Sequence, residues 1–264
     1  MTRAVNLFCV LCLGVVVGCG PKRAPESGGA AKKDLPAAAE VFERYLKATG
    51  VDPASPPPTP AAMHMVADLA MPAQGMGGAV ETWTVGSNML TKMSISGIGE
   101  LQMGLYEGVG WASDDLEGPR LLEGEERDQL LFDANPRGDL DWATRYTAVE
   151  VTDVAPYADE DCFVVKATKP WGEVRTLYFS QESGLLVGYE ERVKMNLGSL
   201  NVSTQLSNYR EIEGMLTATV FTSKTMGIEQ VITLVSLTTS PTELPSMAPP
   251  PEIQALIDEA GTQE

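Results

Sequence analysis

Glu100-Leu101-Gln102-Met103-Gly104-Leu105 alternates strictly, with Leu101, Met103 and Leu105 on one side of an extended chain and Glu100 and Gln102 on the other. Period two is the signature of a β-strand with one face buried and one wet. The same reading applies to Arg192-Val193-Lys194-Met195, and to the 202–207 segment, where Val202, Thr204 and Leu206 oppose Ser203, Gln205 and Ser207. From residue 61 to about 237 short runs of this kind are separated by Gly, Asn or Asp turns at hairpin spacing, which predicts a meandering antiparallel sheet. Two runs, 228–237 and the stretch through Val174, Leu177, Tyr178 and Phe179, carry apolar residues in both phases. They are expected to be central strands covered on both faces.

Outward from the strands the pattern changes. Ala38, Val41, Phe42, Tyr45 and Leu46 recur at helical spacing, with Glu40, Glu43, Arg44 and Lys47 on the other side and Gly50 as a stop, so residues 35–49 are read as an amphipathic helix. Pro53, Pro56, Pro57, Pro58 and Pro60 then enforce an extended connection. Residues 124–134 and 139–144 suggest further helical turns, and 252–260, after Pro249-Pro250-Pro251, a short closing helix with Ile253, Leu256 and Ile257 on one side. The fold class is mainly β (α+β), with residues 35–264 read as a single domain.

The N-terminal segment has a different character. Arg3 is the only charge in the first 18 residues, and Leu7 to Val17 form an 11-residue apolar run ending in Gly18-Cys19. A membrane-spanning helix needs about 20 apolar residues, so 1–18 reads as a signal peptide. Val16-Val17-Gly18-Cys19 resembles the lipobox of bacterial lipoproteins, which implies cleavage before Cys19 and lipid attachment to its thiol. An ordinary cleaved signal with incidental cysteines is the alternative. Two acyl chains hold a protein stably where one is marginal, so a lipidated Cys19 implies a permanent membrane partner. Gly20 follows where an inner-membrane retention signal would place aspartate, so the resemblance implies the outer membrane, facing the periplasm. Residues 19–34 contain no large apolar side chain and read as a flexible tether, with Lys22, Arg23, Lys32 and Lys33 either meeting anionic headgroups or only aiding solubility.

Charge excludes whole classes of partner. Of 19 Lys and Arg and 36 Asp and Glu, five and two respectively precede Leu35, which leaves 14 basic against 34 acidic residues. Nucleic acid needs clustered cations to replace counterions, and this body has none to spare. Chemistry is equally sparse. His64 is the only histidine, so no site of several imidazoles exists, and alternation puts it opposite Met63 and Met65 as a solvent-facing or hydrogen-bonded strand residue. No nucleophile elbow, Ser-x-x-Lys, phosphate loop or dinucleotide fingerprint occurs, so neither an enzyme nor a cofactor is expected. Cys162, alone in the body, reads as a buried structural thiol, and the acidic segment 114–128 lacks calcium-loop spacing and reads as a solvated loop and helix start.

Tyr178-Phe179-Ser180-Gln181-Glu182-Ser183-Gly184-Leu185-Leu186-Val187, Ser207-Asn208-Tyr209-Arg210-Glu211-Ile212-Glu213-Gly214 and Met226-Gly227-Ile228-Glu229-Gln230 resemble bacterial envelope proteins related to outer-membrane lipoprotein-sorting factors. The resemblance covers roughly residues 36–257 and implies a LolA/LolB-like fold, a curled antiparallel half-barrel whose helices cover a concave face around an apolar cavity for acyl chains such as palmitate. The soluble carrier of that family has no lipid anchor, and its anchored acceptor exposes an apolar loop without a counterpart here, so no functional residue is carried over.

Seven of the 11 methionines after Met1 fall between residues 63 and 103. Flexible thioethers either fill gaps in a core or line an adaptable apolar surface. Should a cavity exist, Met63, Met65, Leu101, Met103, Leu105, Val193 and Met195 are its expected lining. Two functions follow: a membrane-anchored periplasmic protein binding an acyl chain or another hydrophobic ligand, including a lipoprotein, or a structural or interaction lipoprotein of the envelope with no ligand cavity. Processing is testable at once: mass spectrometry of the mature N-terminus should find lipid on Cys19, and Cys19→Ala should leave an uncut or soluble species. An unmodified Cys19 overturns the lipoprotein reading.

Overall fold

The computed structural model describes residues 35–261 except 116, 196 and 197; the side chains of Asp139 and Met195 are likewise outside the description. The expected signal segment, Cys19 and the tether lie outside the described residues. Among the described residues there are fifteen strands: β1 (Ala62–Met71), β2 (Met76–Val85), β3 (Asn88–Ile95), β4 (Gly99–Tyr106), β5 (Val109–Asp114), β6 (Arg120–Leu121), β7 (Ala148–Tyr157), β8 (Glu160–Thr168), β9 (Val174–Ser180), β10 (Leu186–Met195), β11 (Gly198–Ser207), β12 (Arg210–Ile212), β13 (Met215–Thr217), β14 (Val220–Thr225) and β15 (Ile228–Thr239). Thirteen of them form one curled, unclosed sheet in the order β6-β5-β4-β3-β2-β1-β15-β14-β11-β10-β9-β8-β7, with each neighbouring pair antiparallel, and β12 and β13 make a separate hairpin. Helices α1 (Ala38–Ala48), α2 (Gly124–Asp133), α3 (Trp142–Arg145) and α4 (Pro251–Gly261) complete the chain, with a 3₁₀ turn over Gly138–Asp141 leading into α3.

Register carries the apolar phase from strand to strand. Met63 and Met65 stand opposite Thr84 and Thr82, which pair with Met89 and Thr91, which in turn pair with Leu105 and Met103. On the other wing Tyr189, Leu177, Val165 and Val151 form one continuous row. This is the concave face. Its covering helix α1 inserts Val41, Phe42, Tyr45 and Leu46, all buried, against Val165, Leu177 and Phe179. Phe42 stacks on Trp142 of α3 at 4.6 Å and meets Phe179 edge-on at 5.1 Å. Leu130 of α2 packs with Met89, Leu105 and Ala112, so two helices divide the face between them.

The opposite, convex face is covered only in part. Ile253 of α4 is buried with Trp83, Leu90 and Trp111 behind β2 to β5. His64 stacks on Trp83 with ring centroids 4.9 Å apart, and its Nε2 lies 2.8 Å from Glu81 Oε1, on the side opposite Met63 and Met65. Behind β15 there is no such cover. Val235 is 59 % exposed and Val174 44 % exposed, so the expectation that these two strands are buried on both faces is corrected. β15 is indeed the middle strand, but β1 residue Val66 pairs with Ser236 and Ala67 with Leu234, which leaves Val235 as an extra residue in a bulge. The bulge breaks the period of two, and apolar residues in both phases then no longer imply two covered faces.

Buried Trp111 fixes one position closely. Its ring lies across Gly104 on the neighbouring strand, where a Cβ would sit 2.6 Å from the nearest ring atom. Overpacking of this kind costs about 1–3 kcal/mol. Gly104→Ala should therefore lower the free energy of unfolding by that much, read in chemical denaturation as a lower midpoint at unchanged slope; an unchanged midpoint would mean that the ring moves freely.

Candidate functional site

A cleft opens in the middle of the concave face, where β1, β15, β14, β11, β10 and β9 pass beneath α1 and the ends of α2 and α3. Its apolar wall is formed by Met65, Ala67, Leu177, Leu186, Leu206, Tyr209, Ala218, Phe221, Ile232, Leu234 and Leu237, with Tyr45 from α1. The other wall carries Asp133, Asn135, Arg145 and Arg175. Leu206, Tyr209, Leu234 and Leu237 are only half-buried and form its accessible part. The enclosed volume is about 70 Å³.

The polar wall belongs to a cluster of five charged side chains. Arg175 grips Glu191 with a fork, Nε to Oε2 at 2.9 Å and Nη2 to Oε1 at 3.0 Å, and donates from Nη2 to Asp133 Oδ1 at 3.3 Å. Lys169, completely buried, places Nζ 2.5 Å from Glu191 Oε2 and 2.5 Å from Gln129 Oε1. Arg145 reaches Asp133 Oδ1 at 3.7 Å and donates to the Phe132 carbonyl at 3.3 Å. Phe132 supplies a π face to all three cations, with centroid distances of 4.0 Å to Arg145, 5.3 Å to Arg175 and 5.6 Å to Lys169.

The two carboxylates are treated differently by the same surroundings. Burial pushes the Glu191 carboxyl up, but Arg175 and Lys169 outweigh it and hold it below its ordinary range. Burial also pushes Asp133 up, and there it prevails, because its cations stand farther off at 3.3 Å and 3.7 Å and Glu191 adds repulsion. Burial lowers the Lys169 ammonium, helped by the Arg175 charge. Glu191 therefore contributes stability at neutral pH that is lost as pH falls through the carboxylate range, whereas Asp133 takes up its proton first and relieves a cost.

The residues expected to line a cavity are divided by the structure. Met63, Met65, Leu105, Met103 and Leu101 share the concave face in adjacent register positions, but only Met65 lines the cleft. Leu105 is buried beneath α2, while Met103 and Leu101 are partly buried in the packing around Met93 and Ile95. Val193, buried opposite Leu200, lies farther along β10 beyond Glu191, and of Met195 only the backbone is described, opposite Gly198. The charged wall escaped sequence reading, although a signal was present. Arg175 is in phase with Leu177 and Phe179, and Glu191 with Tyr189 and Val193, so each is a charge in a buried register.

Among the described residues no three His, Cys, Asp or Glu side chains gather as metal ligands, and no helix is long and apolar enough to cross a membrane. In the acidic segment Arg120 is held by Glu117 at 2.9 Å and Glu126 at 2.8 Å. Burial, with Glu160 nearby, pushes the Cys162 thiol up to about 11, which leaves it protonated at neutral pH.

This geometry is that of a LolA/LolB-like half-barrel, and solved structures share it. A DUF1329 family protein from Desulfovibrio piger superimposes with a TM-score of 0.51 at 12 % identity, over 78 % of this chain and 94 % of its own. A LolA superfamily protein from Nitrosomonas europaea gives 0.50 at 14 % identity, over 80 % of this chain and 96 % of its own. No family model and no curated protein matches the sequence.

Removing one partner from a buried ion pair costs about 3–5 kcal/mol because the other charge is stranded. Glu191→Gln leaves Arg175 and Lys169 without their shared carboxylate and should lose that much stability in chemical denaturation. Glu190→Gln, next along the chain and exposed, should change it by less than about 0.5 kcal/mol. Equal effects would show that the cluster is not the structural tie its geometry describes.

Proposed function

We propose that this chain is a non-enzymatic binding protein of the cell envelope, held to the outer membrane on its periplasmic side by lipid on Cys19, that takes an acyl chain or another apolar ligand on its concave face and so receives or passes on lipids or lipoproteins. The observation that carries this reading is the cleft itself: apolar side chains of six strands converge in the middle of a covered face, and Leu206, Tyr209, Leu234 and Leu237 remain only half-buried there. The fold supports the reading as an analogy only, since one fold hosts many functions.

A volume of about 70 Å³ is well short of the roughly 300–1,000 Å³ of an occupied ligand site. A long acyl chain therefore enters only if the cover shifts. Methionines favour that: Met65 lines the cleft, and buried Met63, Met89 and Met93 share its face of the sheet with side chains that repack at small cost. The same tight packing favours the second reading, an interaction lipoprotein whose concave face is filled by its own helices.

Leu237→Glu separates the two. Position 237 is half-buried, so a carboxylate there keeps water and the fold should survive. Binding of a fluorescent fatty acid should fall at least tenfold with an unchanged circular dichroism spectrum, and mildly purified wild-type protein should carry lipid in native mass spectrometry. Protein that is ligand-free and takes up no fatty acid leaves the scaffold.

A further inference from the structure

Gln230 is only 8 % exposed, and its Nε2, enclosed by protein, has no hydrogen-bond partner. A buried donor without an acceptor costs free energy that an apolar side chain of the same shape avoids, so stability does not account for an amide at this position. Its place in the sheet does. Gln230 lies one strand period before Ile232 on β15 and therefore on the same concave face, where Ile232, Leu234 and Leu237 line the cleft. Register repeats this on the neighbouring strands: Leu206 pairs with Phe221 and Phe221 with Ile232, all three in the cleft wall. One row along, Thr204 pairs with Ser223 and Ser223 with Gln230. The apolar row thus gives way to a polar row across the same three strands.

Within that row Thr204, completely buried, and Ser223 satisfy each other, with Oγ1 and Oγ 2.9 Å apart, and the amide is left over. Other enclosed orphans lie elsewhere: Trp111 Nε1 is on the convex face beneath α4, and Thr84 Oγ1 is on β2, two strands from β15. The row is also uncharged. Lys224 and Glu229, next in sequence to Ser223 and Gln230, are in the opposite phase and pair with each other at 3.3 Å. A neutral amide N–H in a buried row is matched by a neutral acceptor, since an ion brought there would need a countercharge.

We propose that the cleft lengthens along β15 to this row when the cover shifts, and that the ligand is an acylated molecule whose uncharged carbonyl, of an ester or an amide, accepts from Gln230 Nε2 while its alkyl chain lies over Phe221, Ile232 and Leu234. The proposal rests on the apolar-ligand reading above and adds the chemistry of the head. It also gives the enclosed space of about 70 Å³ a direction in which to grow.

The test uses the full-length chain with Cys19→Ala, so that no attached lipid competes, and reads displacement of a fluorescent fatty acid by methyl laurate, N-methyl lauramide and pentadecane, which are matched in size. Gln230→Met keeps an unbranched side chain and removes the donor. It should leave the chemical denaturation midpoint unchanged or raised, weaken the carbonyl probes about fivefold or more, the worth of one hydrogen bond, and leave pentadecane within about twofold. The tighter of the two carbonyl probes names the source of the head, an O-acylated lipid or an N-acylated amine, and either supports the site. A lowered midpoint, or a variant that does not fold, shows an amide already satisfied within the fold and overturns the proposal. Equal weakening of all three probes, or of none, overturns the carbonyl head and leaves the apolar cleft standing. Displacement by none of the three overturns both readings.

Discussion

A sheet of thirteen strands with one apolar face has to hide that face, and everything else in the molecule follows from how it does so. Curling brings the two wings of the face toward each other, but the sheet does not close, so the remaining gap falls to helices. With about 25 cal/mol gained per Å² of apolar surface removed from water, the ring contacts of Phe42 and Tyr45 with Phe179, and of Phe42 with Trp142, anchor that cover. The cleft lies where α1, α2 and α3 come together over the middle strands. It is a gap in the cover.

The charged cluster sits at the same junction. It ties the end of α2 through Asp133, the start of α3's exit through Arg145, the turn after β8 through Lys169 and the β9–β10 hairpin through Arg175 and Glu191. An ion cluster holds such elements in one relative geometry more narrowly than methyl groups do, since hydrogen bonds are directional. It also puts a penalty on lifting the helices, because any movement of α2 separates charges in a poorly polarisable interior. The placement of α2 and the geometry of the cluster are therefore coupled through Asp133.

Period-two alternation was enough to place Met63, Met65, Leu101, Met103 and Leu105 on one face, because register in a hairpin sheet transmits phase from strand to strand. It failed at Val235, where one inserted residue reverses the phase. The cleft's polar wall was out of reach for another reason. Arg175 and Glu191 are 16 residues apart and Arg175 and Asp133 are 42 apart, so the cluster exists only once a helix has been laid over a hairpin. Cavity size depends on side-chain packing between helix and sheet, which no periodicity encodes. The LolA/LolB-like resemblance supplied the curl and the cover and was silent on both of these.

An unclosed sheet keeps two edges, and an edge strand is a template on which another chain can pair. β6 is only two residues long, and its Leu121 is packed under α4 beside Ile253, which leaves little ladder to extend. β7 is ten residues long and defends itself in its own sequence: Pro156 has no N–H to offer, Glu150 and Asp153 put charge along the rim, and the register shift between Val151 and Asp153 bends the strand out of line. A half-barrel that leaves its sheet open gives up the protection of closure, and here the two rims carry the features that discourage strand-by-strand self-association.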